Sequence, residues 1–204
     1  QRGTRSTRGA APGRASALGR VVGWWRATLM AFATILLWLG AGCAHRGATE
    51  QELDVVGHVD LERYLGKWYE VARLPTSFQR DCLESTATYE AMDDGRIRVI
   101  NACSSKKSPA KTKVARGKAW VVDTETNAKL KVQFFWPFSG DYWILDLGED
   151  YEHAVVGDPS RRYLWVLSRT PSMPASTYDG IVDRMQAAGF DTDALLVVRP
   201  IEQR

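Results

Sequence analysis

Between residues 68 and 169, apolar and polar side chains alternate in short runs that are broken by turn residues. The clearest case is 128–135, where Lys129, Lys131 and Gln133 interleave with Leu130, Val132 and Phe134. A period of two places one set in water and the other in a core. Similar strand-like runs fall at 68–74, 85–91, 96–103, 113–123, 141–147, 153–158 and 162–169. Asp93-Asp94-Gly95 marks a hairpin turn, and the polar stretches around residues 104–112 and 124–127 connect further strands. No helix-length pattern interrupts these eight runs, which excludes a βαβ architecture. After Pro171 and Pro174 the period changes. Tyr178, Ile181, Val182, Met185 and Ala188 lie at helical spacing, with Ser176 expected as N-cap and Gly189 as the C-terminal stop. Residues 195–200 then form a short ninth strand. The expected fold is all-β: an eight-stranded antiparallel up-and-down barrel with a C-terminal α-helix. Such a barrel is either filled by side chains or holds one small ligand. Its polar outer positions exclude a membrane-spanning barrel, which needs an apolar exterior.

The first 42 residues follow a different logic. They carry six arginines and no acid, and Arg26 is followed by the uncharged run ATLMAFATILLWLGAGCA. A basic stretch, an apolar stretch and small residues before Cys43 form an export signal. The apolar run is short for a transmembrane anchor. Residues 1–20 are expected to lie upstream of a signal that starts near Val21 or Val22. Removing residues 1–42 leaves 21 Lys+Arg against 24 Asp+Glu, about −3, where the whole chain has +3. The basic balance thus belongs to the exported segment, and nucleic-acid binding loses its main support. Residues 43–60 are polar without period and are expected to be a tether, with the barrel domain spanning 61–204. Cys82 and Cys103 form an even pair in an oxidising setting, and the hairpin between them brings them near each other. A simple register does not set them directly opposite, so the sequence leaves the bridge open.

Three motifs, in order, give the barrel a family resemblance. The first is GKWYE, with Gly66 and Trp68 at the head of the first strand and LERYL before it. The second is Asp150-Tyr151 in GEDYEH, between the sixth and seventh strands, where Glu149 replaces the usual threonine. The third is Arg169 in LSRTP, at the end of the eighth strand. Over residues 57–200 the chain resembles the lipocalin family, and within it the bacterial outer-membrane lipocalins. LGAGC resembles a lipobox, although Gly40 stands where leucine is usual. The resemblance implies lipidation at Cys43, and Ala44 after it implies sorting to the outer membrane, facing the periplasm. It also implies a fatty acid or lysophospholipid as ligand, in lipid transport, storage or envelope maintenance.

Physical chemistry gives the motif residues work of their own. Trp68 can plug the narrow end, Gly66 lets the chain cross close beneath it, and Arg169 can stack on the ring. Alternation from Trp68 turns Glu70 inward, where a carboxylate must be paired or neutral. Expected ligand contacts are Phe134, Tyr142, Ile144 and Trp165, with Ala72, Leu130 and Val132 lining the wall. Consecutive aromatics cannot all face inward, so Trp136, Pro137 and Phe138 are alternatively an exposed loop at the mouth or at a membrane surface. His45, His58 and His153 are widely spaced, and neither a metal-ligand pattern, a phosphate loop nor a nucleophile elbow is found; no metal or cofactor is expected. Two rival readings are an enzyme acting on a bound lipid through Cys82 or Tyr142, and a filled barrel serving as a structural or interaction module. A homodimer sharing its open ends is compatible with the sequence.

Overall fold

The computed structural model describes residues 52–203; the expected export segment and Cys43 lie outside them. A single turn of helix, α1 (Leu61–Tyr64), precedes eight strands: β1 (Gly66–Arg73), β2 (Cys82–Ala91), β3 (Ile97–Ser105), β4 (Ser108–Val121), β5 (Lys129–Phe135), β6 (Phe138–Leu147), β7 (His153–Gly157) and β8 (Leu164–Ser168). Each pairs antiparallel with the next, and β1 also pairs with β8, which closes the barrel. After β9 (Met173–Pro174) comes α2 (Ala175–Ala187), then a 3-10 turn at Thr192–Ala194. The expected ninth strand contracts to β10 (Leu196–Val197), which adds to the edge of β1, and β11 (Ile201–Glu202) pairs parallel with β9.

Two apolar clusters result. One fills the barrel and includes Val59, Tyr64, Trp68, Tyr89, Val99, Leu130, Ile144 and Leu167. The other lies between the barrel wall and α2, where Ile181 and Met185 meet Val71, Ala72, Val155 and Val166. Helix α2 begins at Ala175 with Pro174 before it, so Ser176 lies inside the first turn and is not the cap. Gly189 ends it at φ +87°, a left-handed conformation that other residues rarely adopt.

The described part of the expected tether is packed rather than loose. Val59 is wholly buried in the barrel cluster and Leu53 nearly so beneath α2. Asn127 and Thr126 hold this segment across the barrel end through the Val59 carbonyl and N–H. Two apolar anchors spaced six apart carry no helix or strand period, which is why the stretch reads as linker. Among the described residues, no helix is long and apolar enough to cross a membrane.

Candidate functional site: the barrel interior

One end of the barrel is sealed by the first-motif residues. Trp68 is fully buried, and its indole N–H donates to the Tyr64 carbonyl at 2.9 Å. The Arg169 guanidinium lies over the Trp68 ring, 3.8 Å from its centroid. It also donates to the carbonyls of Arg63, Leu65 and Lys67, and through Nε to Tyr151. Gly66 lies beneath at φ +94°, where an added Cβ would stand 3.3 Å from an Arg169 nitrogen. The glycine two before the tryptophan therefore meets two demands, a left-handed backbone and room for the guanidinium.

The second motif ties into the same seal. The Tyr151 hydroxyl accepts the Asp60 N–H at 2.8 Å, and Arg63 lies over the Tyr151 ring at 4.1 Å. Asp150 is exposed at this corner, with its backbone N–H on the Glu152 carboxylate. All five motif residues thus surround the closed end and leave the interior to others.

Above the Trp68 ring, three phenols meet. The Tyr142 hydroxyl is 2.8 Å from those of both Tyr64 and Tyr89. Burial pushes the Tyr89 hydroxyl up to about 12 and holds Tyr64 and Tyr142 well above the ordinary phenol range. The phenols share a cavity of about 10 Å³ with Ile97, Val99, Ala119 and Leu130. That is room for about one water, so the lower barrel is filled.

Higher up, the inward residues are partly exposed. Val132, Phe134 and Trp165 pack against the barrel cluster without being closed off, and Tyr142 reaches down from the same wall into the phenol cluster. Phe134 lies across Gly117, where a Cβ would come within 2.8 Å of its ring. Together with the buried Leu130 and Ile144, these side chains stand where alternation placed them, on the inner wall. Ala72 does not. The β1–β8 register shifts between Glu70 and Ala72, so Val71 is an extra residue and alternation flips. Ala72 pairs with Val166 and lies under α2, outside the barrel.

The same bulge turns Arg73 inward. Arg73 and Glu70, 2% and 4% exposed, form a buried ion pair. Burial pushes the Glu70 carboxyl up, against Arg73 and Gln79, which pull it down. Gln79 donates to Glu70 at 2.7 Å and accepts the Trp165 indole N–H at 2.9 Å. Arg73 reaches the Cys82 carbonyl at 3.2 Å. Arg73 also lines a mouth cavity of about 230 Å³, with Thr76, Gln79, Arg80, Lys106 and Leu196. Neither Arg73 nor Gln79 shows any sequence period that would announce it; the bulge turns Arg73 inward, and Gln79 meets it from the β1–β2 connection.

Cys82 is bonded to Cys103, with Cα atoms 5.5 Å apart, so it offers no thiolate nucleophile. The geometry that the simple register lacked comes from an irregularity in β2 between Cys82 and Ser85. Tyr142, the other reactive candidate, has its phenolate disfavoured by burial. Among the described residues, no cluster of His, Cys, Asp and Glu could hold a metal ion.

A floor closed by Gly66, Trp68 and Arg169 under an eight-stranded barrel matches one family. The Lipocalin-like domain family covers residues 59–200. The chain is a lipocalin. It is 43% identical to the outer membrane lipoprotein Blc of Vibrio cholerae, over 71% of this chain and 84% of that one. The Escherichia coli K12 Blc is 39% identical, over 71% and 81%. Temperature-induced lipocalin-1 of Arabidopsis thaliana is also 39% identical, over 72% and 82%. These matches place the lipocalin in the branch that includes the bacterial Blc proteins. Among solved structures, insecticyanin from the tobacco hornworm Manduca sexta superposes with a TM-score of 0.58 at 17% identity, covering 72% of this chain and 83% of its own, which speaks for the fold alone. The family role is binding of small hydrophobic ligands in the barrel.

Proposed function

We propose that this lipocalin binds a single-chain lipid, a fatty acid or lysophospholipid, in the upper half of its barrel. The observation that carries this reading is the contrast between the two ends. The floor is sealed, while Val132, Phe134 and Trp165 stay partly open above it, and Trp165 is bonded to Gln79, which lines the mouth cavity. Burying an acyl chain against such a wall contributes about 0.8 kcal/mol per CH₂. The mouth cavity, at about 230 Å³, is smaller than the roughly 300–1,000 Å³ of ordinary ligand pockets, so a guest must displace a side chain. The polar group of the lipid then lies level with Arg73 and Gln79. Export and lipidation at Cys43 would hold the barrel in the cell envelope beside its source of lipid. The names of the Blc relatives, outer membrane lipoproteins, support that location.

The rival is a filled barrel acting as an interaction module, and the 10 Å³ cavity above Trp68 favours it. A tryptophan-fluorescence titration of the chain from residue 44 onward, after delipidation, separates the two. Saturable quenching by a long-chain fatty acid or a lysophospholipid at micromolar concentration, weakened in Trp165→Ala, supports the lipid carrier. No saturable change with either lipid assigns the protein to the filled barrel.

A further inference from the structure

The barrel's open end presents a surface that ligand binding does not need. In an up-and-down barrel, the connections after β1, β3, β5 and β7 all emerge at one end, away from the Trp68 seal. Two of these connections carry exposed aromatics. At the β5–β6 turn, Phe135 pairs with Phe138 across Trp136-Pro137, and the three aromatic side chains are 77%, 77% and 86% exposed. Phe78, in the β1–β2 connection, is 65% exposed. Apolar groups this large at the tip of a hairpin cannot be core, and clustered exposure of this kind marks a docking surface.

The charges exposed in these connections are basic. Arg80, Lys106, Lys107 and Arg162 are exposed in the connections at this end. The acids near this end are already engaged: Asp81 by Lys113 and Ser105, Asp158 by Ser160 and the Tyr163 N–H, Asp141 of β6 by Lys131, and Glu84 of β2 by Arg199. Aromatic side chains interleaved with basic ones fit the interface of a bilayer that carries anionic headgroups. A second copy fits poorly. A two-fold contact through the same face would bring one basic rim against another.

We propose that the open end docks onto an anionic lipid bilayer, with Phe135, Trp136 and Phe138 entering the interface and the basic rim resting on the headgroups. This surface works independently of the N-terminal lipid and aims the mouth at the membrane. It also stands apart from the ligand reading, since a barrel that docks without taking up lipid fails the titration above and passes the following test.

The full chain is reconstituted into vesicles containing brominated phosphatidylcholine, with and without one third phosphatidylglycerol. Quenching is compared with that of Trp136→Phe, so that the difference reports Trp136 alone. The expected result is Trp136-dependent quenching in the anionic vesicles. It falls at least about twofold without phosphatidylglycerol, and likewise at 1 M salt, where the screening length is about 3 Å. Phe135→Ser with Phe138→Ser removes it while near-UV circular dichroism stays native. Equal quenching of wild type and Trp136→Phe in both vesicle types overturns the proposal. So does a doubling of protein mass in solution that the double serine variant abolishes, with no Trp136 quenching, since that makes the face an interface between copies.

Discussion

The guanidinium of Arg169 lies 3.8 Å from the centre of the Trp68 ring while its nitrogens hold carbonyls of α1, β1 and the β6–β7 connection. One side chain thus joins the last strand of the barrel to the first and to the segment beneath both. The stack contributes about 0.5–2 kcal/mol, and bonds from a charged donor add to it. Arg169→Ala is expected to cost at least about 2 kcal/mol. Arg169→Lys should restore less than half of this, because an ammonium cannot span four carbonyls and a ring. Urea unfolding midpoints of the two variants check this; a lysine variant as stable as wild type would show that charge alone suffices.

The Glu70–Arg73 pair gives a second expectation. Removing one partner from a buried ion pair leaves an uncompensated charge, at a cost of about 3–5 kcal/mol. Arg73→Met should therefore destabilise strongly. Adding Glu70→Gln should recover a large part of the loss, since the remaining amide can bond Gln79 without a charge. A double-mutant cycle on thermal unfolding reads the coupling directly. Additive effects would mean that the two side chains do not act as a pair.

Outside the barrel, His153 lies with Nε2 3.8 Å from the Asp146 carboxylate and Nδ1 3.1 Å from Glu152. Asp146 also accepts from Arg184 of α2 at 2.8 Å. The contact with Asp146, and then Glu152, holds the imidazole above its ordinary value against the opposing effect of burial. A histidine whose folded value is raised stabilises below its unfolded value of about 6.5 and loses that contribution as pH rises through the folded one. His153→Gln should therefore lose most stability, relative to wild type, at pH about 6 and below, with the gap narrowing as the solution becomes alkaline. A gap that is flat with pH, or widens on the alkaline side, contradicts the assignment.

Periodicity revealed what is regular in this barrel and missed what is not. Leu130, Val132 and Phe134 were legible because β5 keeps strict alternation through Val132. Ala72 was misplaced because Val71 bulges, and nothing about valine announces a bulge. A second irregularity between Ile144 and Asp146 turns Asp146 out toward α2. The bulge in β1 is what sends Arg73 into the barrel beside Glu70. The sequence raised the question of how an inward carboxylate is compensated, and the answer sat three residues away on what seemed to be the outer face. Leu53 and Val59 were lost differently: two isolated anchors carry no repeat. The seal around Trp68 was legible only through family motifs, since a carbonyl cage for Arg169 depends on chain crossings that no local pattern encodes.

The sealed floor also sets the order of events for any guest. With Trp68 and Arg169 closing one end, the barrel has a single doorway, so cargo leaves by the route it came in. A molecule handing cargo over and one receiving it cannot both occupy that doorway. For the lipid carrier proposed above, exchange is then sequential: the barrel must turn from one surface before it serves the next, and delivery is set by how long it holds its guest between the two.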